Sequence, residues 1–183
     1  MSSSKIIVRI SNADDLVYVN EIVHEINKSS EDSPTSILKR SSDLIANKIK
    51  SGHAIIAVTE LGEWIGFCYL QSWSNGEFVA NCGLVVAPEY RRKGVARLIK
   101  QHVVELSKVI YPEAKLFGLT TSLAVMKINS DLGYKPVTYS QITSDDLFWL
   151  GCSQCPNYSI LQKRERKNCL CTAMMYQKEL ETV

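Results

Sequence analysis

The chain has 183 residues, of which 45% are hydrophobic and 22% charged. That is enough for one domain with a buried core and too little for two ordinary ones, and it excludes disordered, collagenous and fibrous classes. With 21 basic against 19 acidic residues the net charge is +2, too weak to drive sequence-blind binding to nucleic acid or to an anionic membrane. No apolar run approaches the roughly 18 residues of a membrane span, and no signal-peptide hydrophobic region follows Met1 to Lys5. The expectation is therefore a cytoplasmic single domain over residues 1–183, with no nucleic-acid and no membrane partner, and with its 6 cysteines reduced.

Ile6-Ile7-Val8-Arg9-Ile10 predicts a strand, and Asn12 with Asp14 and Asp15 predicts the cap and acidic first turn of a helix. Leu16, Val19, Ile22, Val23 and Ile26 recur at helical spacing, and the polar stretch Ser29 to Ser36 ends that helix. A second helix is expected over Ile37 to Ile49, closed at Ser51-Gly52. Three β-rich runs follow, His53 to Thr59, Trp64 to Trp73 and Phe78 to Val86, joined by short turns that read as hairpins. Arg91 to Val109 predicts a long helix with Val95, Leu98, Ile99, His102, Val103 and Leu106 on its buried side. Leu116 to Thr120 predicts a strand, and Val125, Ile128 and Leu132 stripe a short helix ending at Gly133. Strands near Tyr134 to Ile142 and Cys169 to Gln177 close the chain. The order βααβββαβαββ implies an α/β fold: a mixed sheet with helices on its faces.

The segment Gly83 to Arg97 carries the most chemistry. It is a strand, a proline stop at Pro88 and a basic, glycine-containing turn that opens a helix. The free amides at such a helix start, from about Arg92 to Ala96, face outward at the positive end of the helix dipole and suit a pyrophosphate. Gly94 and Ala96 keep side chains away, while Arg91, Arg92, Lys93 and Arg97 add local positive charge. On charge alone, a solvated basic helix start explains the run equally well. A Rossmann dinucleotide site fits poorly, because neither a three-glycine turn nor a following acidic residue is evident.

Together with its setting between strand and helix, Arg91-x-x-Gly94-x-Ala96 resembles the phosphate loop of the acyl-coenzyme A-dependent GNAT superfamily. The element order and the helix ending Asp131-Leu132-Gly133-Tyr134 are similar to that family too. The resemblance implies a mostly antiparallel central sheet, acetyl-coenzyme A as donor, and cofactor contacts from Leu84, Val85 and Val86 through Arg91, Arg92, Lys93, Gly94, Val95, Ala96 and Arg97. It also implies an oxyanion donor in the Val86 backbone amide.

Three positions depart from the family pattern. The tyrosine that many members use as general acid falls on Asn129, which cannot donate a proton that way. Asn129 is left to hydrogen-bond the thiolate, to hold a water, or to be an exposed helix residue. The asparagine near the start of that helix falls on Ser122, which can cap the helix or bond the pantetheine. Where some members have a glutamate base, the register from Pro88 places Cys82, readable as an unusual base or as a buried core cysteine. Glu77, His53 or a held water are the other candidates for the base. His24 and His102 lie on predicted helices without metal-ligand spacing to one another, and a structural role is expected for each.

Cys152-x-x-Cys155 and Cys169-x-Cys171 in the last quarter pose a further choice. On a strand, Cys169 and Cys171 would share a face and could complete a four-thiolate zinc site with the first pair. The spacing is looser than two C-x-x-C knuckles, so buried thiols without metal are the expectation. Phe148, Trp149 and Tyr158 are expected to pack under a long loop, with the basic run Lys163 to Lys167 as its solvated tip. The cysteine-bearing tail resembles that of a bacterial subgroup linked to arginine biosynthesis. The functional expectation is an N-acyltransferase that moves an acetyl or other short acyl group from coenzyme A to a primary amine of a small molecule such as an amino acid. The alternative is a non-catalytic acyl-coenzyme A sensor or scaffold, suggested by Asn129 and Cys82.

Overall fold

Apolar, β-branched runs bounded by turn residues pair side by side in the computed structural model, which describes residues 5–32 and 38–178. The strands are Ile6–Ile10 (β1), Ala54–Thr59 (β2), Trp64–Trp73 (β3), Phe78–Val86 (β4), Lys115–Thr120 (β5), Tyr134–Val137 (β6) and Thr172–Tyr176 (β7). The α-helices are Val19–Asp32 (α1), Ser42–Lys50 (α2), Val95–Ile110 (α3), Leu123–Asp131 (α4), Asp146–Gly151 (α5) and Tyr158–Lys163 (α6). Together the strands form one sheet of order β1-β2-β3-β4-β5-β7-β6. Every neighbouring pair is antiparallel except β4 and β5, which run parallel. This is the mixed α/β sheet that the element order implies, mostly antiparallel as the family resemblance implies.

Both faces of the sheet are covered. α3 packs Val95, Ile99 and Val103 against Ile55, Ile65 and Val79, while α1 and α2 pack Ile22, Ile26, Ile45 and Ile49 against Ile56, Phe67 and Val85 on the other side. Burying these aliphatic and aromatic side chains supplies the main stabilising term of the fold. A third cluster, with Phe117, Tyr139, Trp149 and Leu161, lies where α5 and α6 cover the far half of the sheet.

Two irregularities in β4 shape the site. Phe67 pairs with Val85 and Tyr69 with Cys82, so Cys68 alone opposes both Gly83 and Leu84. This is a β-bulge, and it requires glycine: Gly83 has φ +63°, and a Cβ there would stand 2.8 Å from the Tyr69 ring. The second irregularity is that β4 pairs with β5 only through Phe78, Val79 and Ala80, against Lys115, Leu116 and Phe117. Beyond Ala80 the two strands part, leaving the edge from Asn81 to Val86 open on that side.

Several predicted boundaries change. The helix expected from Arg91 starts at Val95, because Pro88–Tyr90 forms a 3-10 turn and the chain needs positive φ at Arg92 and Gly94 before it can wind. The second helix begins at Ser42 behind the Ser41 cap, whose Oγ accepts from the Leu44 amide, and Ile37 lies outside the described residues. The first helix runs on to Asp32 through part of the polar stretch expected to end it. The strand expected to reach Ile142 stops at Val137, where Thr138 and Gln141 form a capping box around a 3-10 turn. The last strand begins at Thr172, so Cys169 and Cys171 are not on a strand and the shared-face argument for them fails. The expected long loop holds α5 and α6, short helices whose weak periodicity hid them.

Candidate functional site

The start of α3 is built from backbone. Gly94 caps it in the left-handed conformation, φ +82°, with no side-chain cap, and an added Cβ there would meet nothing within 4 Å. The first hydrogen bond of the helix runs from Leu98 N–H to Gly94 C=O at 3.2 Å, so the amides of Val95, Ala96 and Arg97 precede the ladder. Arg92 is also left-handed, φ 60°. Left-handed residues alternating with right-handed ones turn successive N–H groups into one anion-binding concavity. An amide-lined hollow with no side chain filling it fits a pyrophosphate.

The four cations of the turn are not equivalent. Arg91 donates from Nε to Val86 C=O at 3.0 Å and stands 3.7 Å from Glu25, tying the turn to β4 and α1. Arg97 pairs with Asp131 at 2.7 Å, joining α3 to the end of α4. Arg92 and Lys93 are exposed and, among the described residues, have no carboxylate partner; Lys93 lies 5.0 Å over the Tyr90 ring. Two of the four cations are thus left for an anion.

Alternation in the β3–β4 ladder orients the strand edge. Ala87 N–H donates to Ile65 C=O at 2.7 Å, so Val86 N–H turns away from β3 and toward the gap beside β5. Leu84 and Val86 pack on the α3 side, Val85 and Cys82 on the α1 and α2 side. The candidate residues Leu84, Val85 and Val86 therefore lie on the open edge that leads to the turn.

On the α1 and α2 side, Cys82 is half-buried beside Tyr69, its register partner. Burial pushes the Cys82 thiol up, with Arg40, Lys48 and Lys100 opposing the shift, so it holds its proton at neutral pH. That favours the core-cysteine reading over the base. Around it stands a basic group that the sequence reading missed: Arg40 Nε donates to Tyr69 OH at 2.7 Å, and Lys48 Nζ lies 5.7 Å over the Tyr69 ring with its pKa lowered by burial. Among the described residues, neither cation has a carboxylate partner. Only folding brings residues 40, 48, 69 and 82 together, and no local spacing marks them.

On the other face, Asn129 is buried and not exposed. Its Nδ2 faces Met174 Sδ at 3.6 Å, while its Oδ1 is buried without a partner among the described residues. An orphaned acceptor in the core fits a group that arrives with a donor. Ser122 caps α4, its Oγ accepting from the Val125 amide at 3.3 Å. The other candidate bases sit elsewhere. His53 packs against Tyr111 at the C-terminal end of α3, with ring centroids 5.9 Å apart, and the 16 residues of that helix span about 24 Å from the phosphate turn. Glu77, in the turn just before β4, pairs with Lys115 at 3.1 Å. His24 is exposed, and His102 is an exposed helix residue with Nδ1 2.9 Å from Leu98 O.

At the root of the gap between β4 and β5 is a buried polar cluster that was also missed. Lys100 Nζ donates to Asn81 Oδ1 at 2.7 Å and lies 4.6 Å over the Tyr134 ring, and Tyr134 OH donates to the same Oδ1 at 3.1 Å. Burial pulls the Lys100 pKa down to about 8, with the neutral thiols Cys68 and Cys82 as its titratable neighbours.

The four tail cysteines are half-buried near Tyr139, whose OH donates to Cys171 C=O at 2.8 Å. Burial first, and then the neighbouring thiols, push Cys152 up to about 11 and Cys171 up to about 12. Among the described residues no group of three His, Cys, Asp or Glu is arranged to hold a metal ion. Arg164 to Lys167 form an exposed turn, with Arg166 paired to Asp146 at 2.6 Å. Among the described residues no helix is long and apolar enough to cross a membrane.

Comparison with known proteins agrees with this geometry. The family model described as Acetyltransferase (GNAT) family matches residues 20–114, a little over half of the chain. No curated protein sequence matches it. Among solved structures, N-acetylglutamate synthase from Neisseria gonorrhoeae, complexed with coenzyme A and N-acetyl-glutamate, superposes with a TM-score of 0.64 at 14% identity, over 96% of this chain and 35% of that one. The chain thus spans about a third of that protein's length. Diaminobutyrate acetyltransferase from Paenibacillus lautus, in complex with L-2,4-diaminobutyric acid and coenzyme A, gives 0.64 at 11% identity over 99% of both chains. A phosphinothricin acetyltransferase from Sinorhizobium meliloti, in complex with acetyl-coenzyme A, gives 0.63 at 15% identity over 97% of this chain and 95% of that one. At these identities the shared property is the fold.

Proposed function

We propose that this chain, which belongs to the Acetyltransferase (GNAT) family, is an N-acyltransferase that moves an acetyl or other short acyl group from coenzyme A to the primary amine of a small, carboxylate-bearing molecule such as an amino acid. The reading treats residues 1–183 as one such domain. The observation that carries it is the open edge of β4 running directly into the amide-lined turn at Gly94. The coenzyme A, acetyl-coenzyme A and amino-acid ligands of the solved relatives support the donor and the acceptor class.

Bound acetyl-coenzyme A supplies the acyl group as a thioester. In this reading the Val95, Ala96 and Arg97 amides with Arg92 and Lys93 hold the pyrophosphate. Val86 N–H, pointing into the gap, donates to the thioester oxygen as negative charge develops there. The departing thiolate takes its proton from water, and Asn129 Oδ1 accepts a hydrogen bond from the thiol so formed without serving as its acid. Arg40 and Lys48, across the sheet, seat the acceptor's carboxylate, with Tyr69 fixing the guanidinium. Cys82 stays protonated, so the amine enters as its neutral form or loses its proton to a held water; positioning the two reactants supplies much of the rate enhancement.

Arg40→Met tests the acceptor assignment. Removing the cation is expected to raise KM for the amine substrate at least tenfold, with coenzyme A affinity unchanged. An unaltered KM would remove the carboxylate from this side of the sheet.

A further inference from the structure

An ammonium must lose a proton before its nitrogen can attack a thioester, and the side chains already placed on the acceptor side do not take it: Cys82 holds its own proton, and Arg40 and Lys48 are cations. One carboxylate on that side of the sheet remains unused. Glu25 lies in α1 with 12% of its side chain exposed, and its Oε2 is buried without a hydrogen-bond donor among the described residues. Arg91 Nη2 stands 3.7 Å from that oxygen, beyond hydrogen-bond range, while Arg91 Nε is engaged by Val86 C=O. A buried carboxylate oxygen left without a donor is costly, and it fits a donor that arrives with the reactants.

Arg91 also fixes where this carboxylate stands. In an antiparallel strand the N–H and C=O of one residue face the same edge, so Val86 C=O, with Arg91 on it, opens on the side to which Val86 N–H points. The guanidinium spans about 2.3 Å from Nε to Nη2, which puts Glu25 Oε2 no farther than about 9 Å from Val86 O. A thioester carbonyl on Val86 N–H, an attacking amine and one water fit within that distance. The other end of the same face is fixed as well. Asn27 Oδ1, two residues along α1, accepts from the Arg40 amide at 3.0 Å, and Ile26 between them faces Gly83, where a Cβ would lie 3.6 Å from its Cδ1. α1 therefore sets Glu25 over the Val86 end of β4 and anchors Arg40 toward the Cys82 end. An amino acid with its carboxylate on Arg40 turns its amine toward Glu25.

We propose that Glu25 takes the proton shed by the acceptor's ammonium, through the water held between them, and is the base of the reaction. This rests on the acyltransferase reading and adds the group which that reading lacks. The step balances in water. One ammonium proton passes to Glu25 and frees the electron pair that forms the C–N bond, and the C–S bond breaks with its pair on sulfur. The second nitrogen proton leaves to water as the thiolate takes one from water, and Glu25 returns its proton to solvent before the next turnover.

Glu25→Gln keeps the shape of the side chain and removes its capacity for a proton. It is measured with acetyl-coenzyme A and two acceptors: the amino acid that releases thiol fastest in wild type, and hydroxylamine, which is already neutral at pH 7. With the amino acid, kcat is expected to fall at least about a hundredfold, and Glu25→Asp to recover it to within about tenfold of wild type. With hydroxylamine the Gln variant is expected to stay within about threefold of wild type, as is its coenzyme A affinity by calorimetry. An amino-acid kcat that Glu25→Gln leaves unchanged overturns the assignment and leaves the acyltransferase reading standing. Equal loss with both acceptors also overturns it, and weaker coenzyme A binding alongside would make Glu25 an anchor for Arg91 only. Coenzyme A binding to wild type without thiol release for any amino acid overturns both.

Discussion

Lys100 carries a consequence for stability. Its pKa falls from the ordinary 10.5 to about 8, so holding the charge in the core costs the native state about 3 kcal/mol at most. Below pH 8 the group is charged folded and unfolded, and the full cost applies. Between pH 8 and 10.5 the unfolded chain binds the proton more tightly than the native one, so this group makes the protein more stable as pH rises. Cys68, Cys82 and Tyr134 face Lys100, and burial pushes all three upward. Lys100→Met is accordingly expected to unfold at a higher temperature than wild type at pH 7, with the gap closing toward pH 10.5; a gap independent of pH would contradict a charged Lys100. The position was legible in part. The periodic stripe Val95, Leu98, Ile99, His102, Val103 and Leu106 marked a buried face, but the true face is rotated, leaving Leu98 40% exposed and taking in Lys100, Val104 and Ser107. A lysine on the shoulder of an apolar stripe ordinarily extends to solvent, and only the sheet beneath reveals that this one does not.

At the scale of elements, the turn before α3 was the most readable feature, because its chemistry is local: proline stop, glycine with positive φ and free amides all lie within ten residues. What spacing could not show was where the cations point, since Glu25 and Asp131, which engage Arg91 and Arg97, come from other elements. Gly94→Leu tests the turn. The new side chain enters open space and costs about 1–2 kcal/mol for the left-handed backbone, so the fold persists. Coenzyme A affinity is expected to fall at least a hundredfold, and unchanged affinity by calorimetry would remove the pyrophosphate from this turn. The tail reads differently. Cys169 and Cys171 precede β7 and do not lie in it, and the Cys171 thiol is held up by burial and by its cysteine neighbours. A structural zinc would lower such thiols and contribute folding free energy directly. Purification without added metal is expected to give less than a tenth of a zinc per chain, with a melting temperature that chelator does not move. One zinc per chain and a chelator-sensitive melt would make the tail a metal-stapled lid.

For the molecule as a whole, the alternating and helical periodicities were enough for the order of strands and helices, since each is set within a short window. The order of strands in the sheet, with β7 inserted between β5 and β6, follows from long-range pairing that no window contains. The same holds for the parting of β4 from β5 and for the two basic groups on opposite sides of the sheet, Arg40 with Lys48 and Lys100 with Asn81. The central claim is that the gap between β4 and β5 delivers an acyl group from coenzyme A to a small amine. It is tested most directly by thiol release from acetyl- and succinyl-coenzyme A with single amino acids and polyamines as acceptors, and by mass analysis of the product. The account predicts acceptor-dependent release with an amino acid, one acyl group added to its amine, and loss of release in Gly94→Leu. Tight coenzyme A binding with no release for any acceptor would contradict it and make the chain a binding module.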